Sequence, residues 1–178
     1  MHRPIHRRQF LTVAGSLAVA TTTGCGSRLR DLQLTALPQA LAEMQRLLHA
    51  PTLTTTSAWG LAQTLEHLAQ SIEYSMTGYP QSKSALFQRA IGQPAFAFFS
   101  WRGQMQHDLA EPIPGSPALS SHTPLAHAAL RLMTACQQFM QWQQPLQPHF
   151  AYGLLTHAEY EQAHAMHLAN HFAAFHTA

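Results

Sequence analysis

Apolar side chains recur along most of the chain at intervals of three and four residues. No run alternates apolar with polar residues long enough to argue a strand. "LPQALAEMQRLLH" carries Leu37, Leu41, Met44, Leu47 and Leu48 at helical spacing. "TSAWGLAQTLEHLAQSIEYSMTG" places Leu61, Leu65, Leu68 and Ile72 on one stripe, with Ser57 as the predicted N-cap and Gly78 as the stop. "SALFQRAIGQPAFAFFSWRGQM" is a third apolar segment, with a break or kink predicted near Gly92 and Pro94. Its "AFAFFSW" run reads as core filling. "AEPIPGSPALSSHTP" interrupts any helical period, and Pro112 to Pro124 is expected to form the mobile rim of a pocket. "PLAHAALRLMTACQQFMQWQ" predicts a fourth helix with Pro124 in its first turn. After the connector "PLQPHFAYGLL", the helix "THAEYEQAHAMHLANHFAAF" opens with Thr156 and Glu159 at capping-box spacing. Four or five helices with one long connection predict an all-α helix bundle.

The N-terminus breaks this pattern. "MHRPIHRRQFLTVAGSLAVATTTGCGS" has a basic start and an apolar run from Phe10 to Ala20, followed by small and polar residues. That run is too short for the roughly 20 residues that span a bilayer, and it has the anatomy of a cleavable export signal. "HRRQFL" resembles the twin-arginine signal, in which Arg7 and Arg8 are read by a receptor. "AVA" before Thr21 fits ordinary cleavage, whereas "TTGC" resembles a lipoprotein box with Cys25 as the lipidation candidate. The expected organisation is therefore an export signal over 1–25, a tether over 26–35 and a helical domain over 36–178. The expected location is outside the cytoplasm, periplasmic or membrane-anchored.

Charge narrows the partners. Charged residues are only 10% of the chain, against about 25% in typical globular proteins. Without residues 1–24, seven Lys or Arg face eight Asp or Glu. Such a surface predicts no nucleic-acid partner, and a membrane contact only through a lipid at Cys25. The second cysteine, Cys136, lies in an apolar helical pattern and reads as a buried, inert thiol. The two cysteines make neither a disulfide framework nor a thiolate zinc site. Oligomeric state stays open, a dimer included.

Candidate chemistry lies in "AHAMHLANHFAAFH". With 13 histidines in 178 residues, chance clustering is a fair rival to a metal site. At about 100° per residue, His164, His167 and His171 fall within an arc of about 60°, on the side of Tyr160, Leu168 and Phe175. Ala165, Ala169 and Ala173 take the opposite side, so the histidines are expected to turn inward. His176 falls away from the arc and reads as a frayed terminal residue. Residues i and i+4 are neighbours on a helix face, so His167 and His171 can converge on one ion; His164 and His167 have the workable i, i+3 spacing. A facing helix must supply more, and His49, His67, His107, His122, His127 and His149 are the candidates. Only His67 lies in the middle of a predicted helix. It sits off the leucine stripe, on a polar stripe with Thr64, Ser71 and Tyr74.

"WGLAQTLEHLAQSIEYSMTGYP" together with "HFAYGLLTHAEYEQAHAMHLANH" resembles the DUF1569 branch of the DinB-like superfamily, over most of residues 37–175. The resemblance implies a four-helix bundle of up-down-down-up type with a long crossover connection. It also implies a divalent metal held by one histidine of the second helix and an H-x3-H pair of the last. Position by position, these are His67, His167 and His171. Many relatives have a His-His pair and a later Gln, where this chain has Asn170 before His171 and then Ala174. His164 becomes an outer partner or alternative ligand.

Three histidines leave a coordination position open, as in catalytic sites. Zinc is the default ion and nickel the alternative. Glu73, Tyr74 and Glu161 are candidates for the surrounding shell or for substrate contact. Similar DinB-like proteins include metal-dependent thiol transferases, and that is the first enzymatic reading. Metal-assisted hydrolysis, with Glu73 or His164 as base, is the second. A non-catalytic metal or small-molecule binding protein is the third.

Overall fold

The computed structural model describes residues 29–178. Arg7, Arg8 and Cys25, and with them the export and lipidation readings, lie outside the described residues. The described chain is mainly helical. It runs α1 (Leu37–Leu48), β1 (Leu53–Thr55), α2 (Leu61–Thr77), a single turn α3 (Ala85–Phe87) and a π-helical turn (Gln88–Gly92). Then come α4 (Gln93–Arg102), α5 (Leu125–Met140), α6 (His157–Phe172) and β2 (Phe175–Thr177).

The leucine stripes form the core. Leu37, Met44 and Leu47 of α1 and Leu65, Leu68 and Ile72 of α2 are buried, together with Leu132, Cys136 and Phe139 of α5. Each fully buried large apolar side chain contributes about 1.5–3 kcal/mol relative to exposure. Helix α2 packs mainly on α5, and α6 mainly on α1. Gly78 ends α2 with a φ of 106°, a conformation that a side chain disfavours. The capping box of Thr156 and Glu159 is formed in both directions at the start of α6.

Several local expectations are corrected. The N-cap of α2 is Gly60 rather than Ser57; Ser57 instead accepts from the Trp59 N–H and donates to the Leu109 carbonyl. The "AFAFFSW" run divides: Phe96 is buried, but Phe98 is half exposed and Trp101 is on the surface. His176 is not frayed. It lies in β2, which pairs antiparallel with β1 in the register Thr54 to His176. Those strands have three residues each, too short for an alternation pattern to register. Of the segment read as a tether, residues 29–35 are docked. Leu34 is buried, and Arg30 donates to the Phe172 carbonyl and pairs with Glu43.

The kink predicted near Gly92 and Pro94 takes the form of the π-helical turn, whose wider coil is common beside functional sites. A Cβ at Gly92 would lie 1.9 Å from the Ala151 carbonyl oxygen. Only glycine lets this turn rest on the connector before α6. Gln88 strengthens the same contact by donating to the His149 and Phe150 carbonyls. Docking this turn onto the connector forms one wall of a cavity between α2, α4 and α6.

Candidate metal centre

On α6 the inward turn of the histidine stripe holds, although the alanine side is buried as well. The small residues there let α6 lie close to its neighbours on both sides, so burial alone does not single out the histidine face. On α2 three of the four residues of the polar stripe beside the leucines, Thr64, His67 and Ser71, are at most 5% exposed, as is the neighbouring Ser75, whereas Tyr74 is half-buried. This stripe turns toward α6.

The two stripes bring His67, His167 and His171 together. His67 Nε2 lies 3.3 Å from His167 Nε2, and His171 Nε2 lies 3.1 Å from His167 Nε2. One ring nitrogen from each of the three lies within 4.8 Å of the other two. An ion about 2.0–2.1 Å from each nitrogen would require separations of about 3.3 Å in tetrahedral geometry and about 2.9 Å at right angles. The 3.3 Å edge matches the tetrahedral value, the 3.1 Å edge lies between the two, and the His67–His171 edge is within 4.8 Å.

The electrostatics agree with the geometry. Burial, assisted by the charge of His107, lowers His67 to a pKa of about 4. Burial and the neighbouring histidines hold His167 and His171 well below the ordinary histidine range. Neutral imidazoles are the form that binds metal. Three neutral nitrogens directed at one point repel through their lone pairs, and at most one shared proton can bridge each contact. A cation between them satisfies all three at once. His67 Nδ1 and His171 Nδ1 are buried without a partner, so the second nitrogens do not explain why these rings are held here.

A fourth histidine borders the site. His107, in the connection after α4, has its ring centroid 4.9 Å from that of His167 and 5.2 Å from that of His171. Its Nδ1 is 2.8 Å from the Asp108 carbonyl. A carbonyl only accepts, so Nδ1 carries the proton and Nε2 keeps its lone pair. His107 was one candidate among six in the sequence, and its loop has no helical period from which an angle could be taken. Trp59 closes another side, 5.1 Å from the His67 ring.

Other sequence candidates lie elsewhere. Glu73 does not reach the histidines: Arg131 of α5 binds both of its carboxylate oxygens and also pairs with Glu66. Tyr74 packs on Tyr79. Glu161 accepts from the Leu37 N–H at the start of α1. His164 is buried one turn from the three histidines, with Nε2 3.1 Å from Ser75 Oγ. His49, His122 and His127 are exposed. Cys136 is a free, buried cysteine, and burial pushes its thiol up to about 12, as an inert thiol requires.

A cavity of about 260 Å³ opens beside the three histidines, sharing His67 and His167 with them. Ile113 and Pro114 of the proline-rich loop line it. Ile113 is buried, so the start of that loop is wall rather than loose rim.

No curated protein and no solved structure matches the chain. Residues 26–178 match the family described as "Protein of unknown function (DUF1569)", and the chain belongs to that family.

Proposed function

We propose that this protein binds one divalent metal ion through His67, His167 and His171, in a four-helix bundle of the DinB-like type. The convergence of three Nε2 atoms from two helices, at 3.1 and 3.3 Å along two edges, carries this reading. Zinc is the first expectation and nickel the second, since imidazole suits both. When bound, the ion would supply an open coordination position on which a thiol or water loses its proton more readily. The chain's own part is to keep the three imidazoles neutral by burial and to shield their outer sides with Trp59 and His107.

A small-molecule ligand is expected next to the ion, because the cavity adjoins the histidines directly. Among enzymatic readings, metal-dependent thiol transfer is preferred to hydrolysis. Of the bases named for hydrolysis, Glu73 is engaged by Arg131, and His164 donates Nε2–H to Ser75 and is not one of the three clustered histidines. A non-catalytic binder uses the same ion and the same cavity. Export rests on Arg7, Arg8 and the segment up to Cys25, and is proposed on the sequence alone.

Elemental analysis of purified protein, followed by chelation and reloading with zinc or nickel, tests the metal reading. One ion per chain is expected. Failure of the wild-type protein to take up a stoichiometric ion under any loading condition would overturn it.

A further inference from the structure

Two buried histidines that are not part of the three-nitrogen cluster also line the cavity, His149 and His164. Their hydrogen bonds decide their tautomers. His149 Nδ1 lies 3.1 Å from the Ala151 N–H nitrogen and 3.2 Å from that of Tyr152. Backbone N–H groups only donate, so Nδ1 accepts and the ring proton is on Nε2. His164 has the reverse arrangement of roles. Ser75 Oγ donates its single proton to the Ile72 carbonyl at 2.7 Å, so it must accept from His164 Nε2–H at 3.1 Å. His164 Nδ1 is then left with a lone pair. Neither His149 Nε2 nor His164 Nδ1 has a hydrogen-bond partner among the described residues.

Both rings are also mechanically held. His149 stacks on Tyr152 at 4.2 Å and 9°, and His164 stacks on Tyr160 at 5.3 Å. Neither imidazole can turn over without losing hydrogen bonds that are already made. Most of the remaining wall is apolar, with Phe99, Met105, Ile113 and Phe150 among its residues, and Ser71 and Gln106 add neutral polar groups. Glu111 is the one formally charged residue that lines it, and no Lys or Arg does.

We propose that this cavity takes a compact, uncharged, largely apolar ligand carrying one hydrogen-bond acceptor and one donor, which His149 Nε2–H and His164 Nδ1 address. An amide or an alcohol on an aromatic or aliphatic body has this chemistry. In the metal-free cavity a carboxylate or phosphate does not, because no Lys or Arg lines it and burying an anion without a cation beside it costs several kcal/mol. The proposal names a ligand class for the site under Proposed function. It rests on that reading only for the ligand's placement beside an ion.

Benzamide and benzoate are a matched pair of probes with the same shape and different charge. Their binding is measured by NMR titration, following the His149 and His164 ring signals, on the protein as purified and after chelation. Chelated protein makes the charge comparison clean, since no ion is present to attract the carboxylate. Benzamide is expected to bind in the millimolar range, about tenfold or more tighter than benzoate, and to shift both ring signals. Ala95→Phe, from a half-buried position on the cavity wall, should abolish benzamide binding without removing either histidine. Ile91→Lys, at an exposed wall position, should raise benzoate relative to benzamide. Equal or tighter benzoate binding to the chelated protein, no benzamide binding to it, or benzamide binding unaffected by Ala95→Phe would each overturn the proposal. Loss of metal binding with benzamide selectivity intact would instead sink only the metal reading.

Discussion

His164 and His167 are three residues apart on the same face of α6, both held below the ordinary histidine range, yet their nitrogens are used differently. His164 spends Nε2 on Ser75, within a local network that closes on the Ile72 carbonyl. His167 has no such partner: the neighbours of its Nε2 are two other imidazole nitrogens. Burial therefore does not distinguish a candidate metal ligand from a histidine whose inward nitrogen is already bonded. What distinguishes them is whether the surrounding protein has already satisfied the nitrogen that points inward.

The sharpest way to break this comparison is metal affinity across single variants. His67→Ala, His167→Ala and His171→Ala should each weaken binding by more than about 100-fold, beyond the range of outer partners. His164→Ala should change it by less than about threefold, since Ser75 and not the site is its partner. Competition with a calibrated chelator reads all four. A His164 loss as large as that of His167 would erase the distinction.

Acid stability sharpens it next. Burial first, and then the charge of a neighbouring histidine, lowers both His149 and His164 to about 3. In the unfolded chain both return to about 6.5. Between those values the unfolded state binds protons that the folded state refuses, so stability falls as pH falls. Each such histidine contributes a slope of about 1.4 kcal/mol per pH unit, with the loss complete only below the folded value. Metal-free protein should therefore lose urea resistance steeply on acidification from about pH 6.5. His164→Leu should make that slope shallower by about one proton. An unchanged slope would show that His164 is not the neutral, buried group described here.

The smallest effects concern residues outside the site. Glu73→Gln should leave metal affinity unchanged and reduce stability by about 1 kcal/mol, by weakening a partly exposed ion-pair network with Arg131. Thr156→Ala should cost about 1 kcal/mol through loss of the capping box. Thermal unfolding measures both, and a drop in metal content with Glu73→Gln would restore its candidacy as an outer partner.

Helical periodicity located the core stripes of α1 and α2, the buried setting of Cys136 in α5, and the inward arc of His164, His167 and His171. A long helix repeats its signal every turn, so one sequence suffices to see it. The same signal failed for Glu73 and Tyr74. Angle around α2 orients a side chain but does not say which partner waits there, and Glu73 meets Arg131 of α5. His107 and the strands of three residues gave no repeat to read.

The sequence by itself determined a mainly helical chain, where its long helices lie, the cap of α6 and the face on which that helix carries its histidines. These follow from interactions spanning three or four residues, which are present as soon as the chain is written down. Tertiary structure decided that His67 from α2 meets His167 and His171, the first two being one hundred positions apart in the chain. It also decided that His107 closes beside them and that Ser75 takes His164 out of the cluster. Those outcomes depend on which helices pack together and on hydrogen bonds between distant segments. A local period carries no record of them.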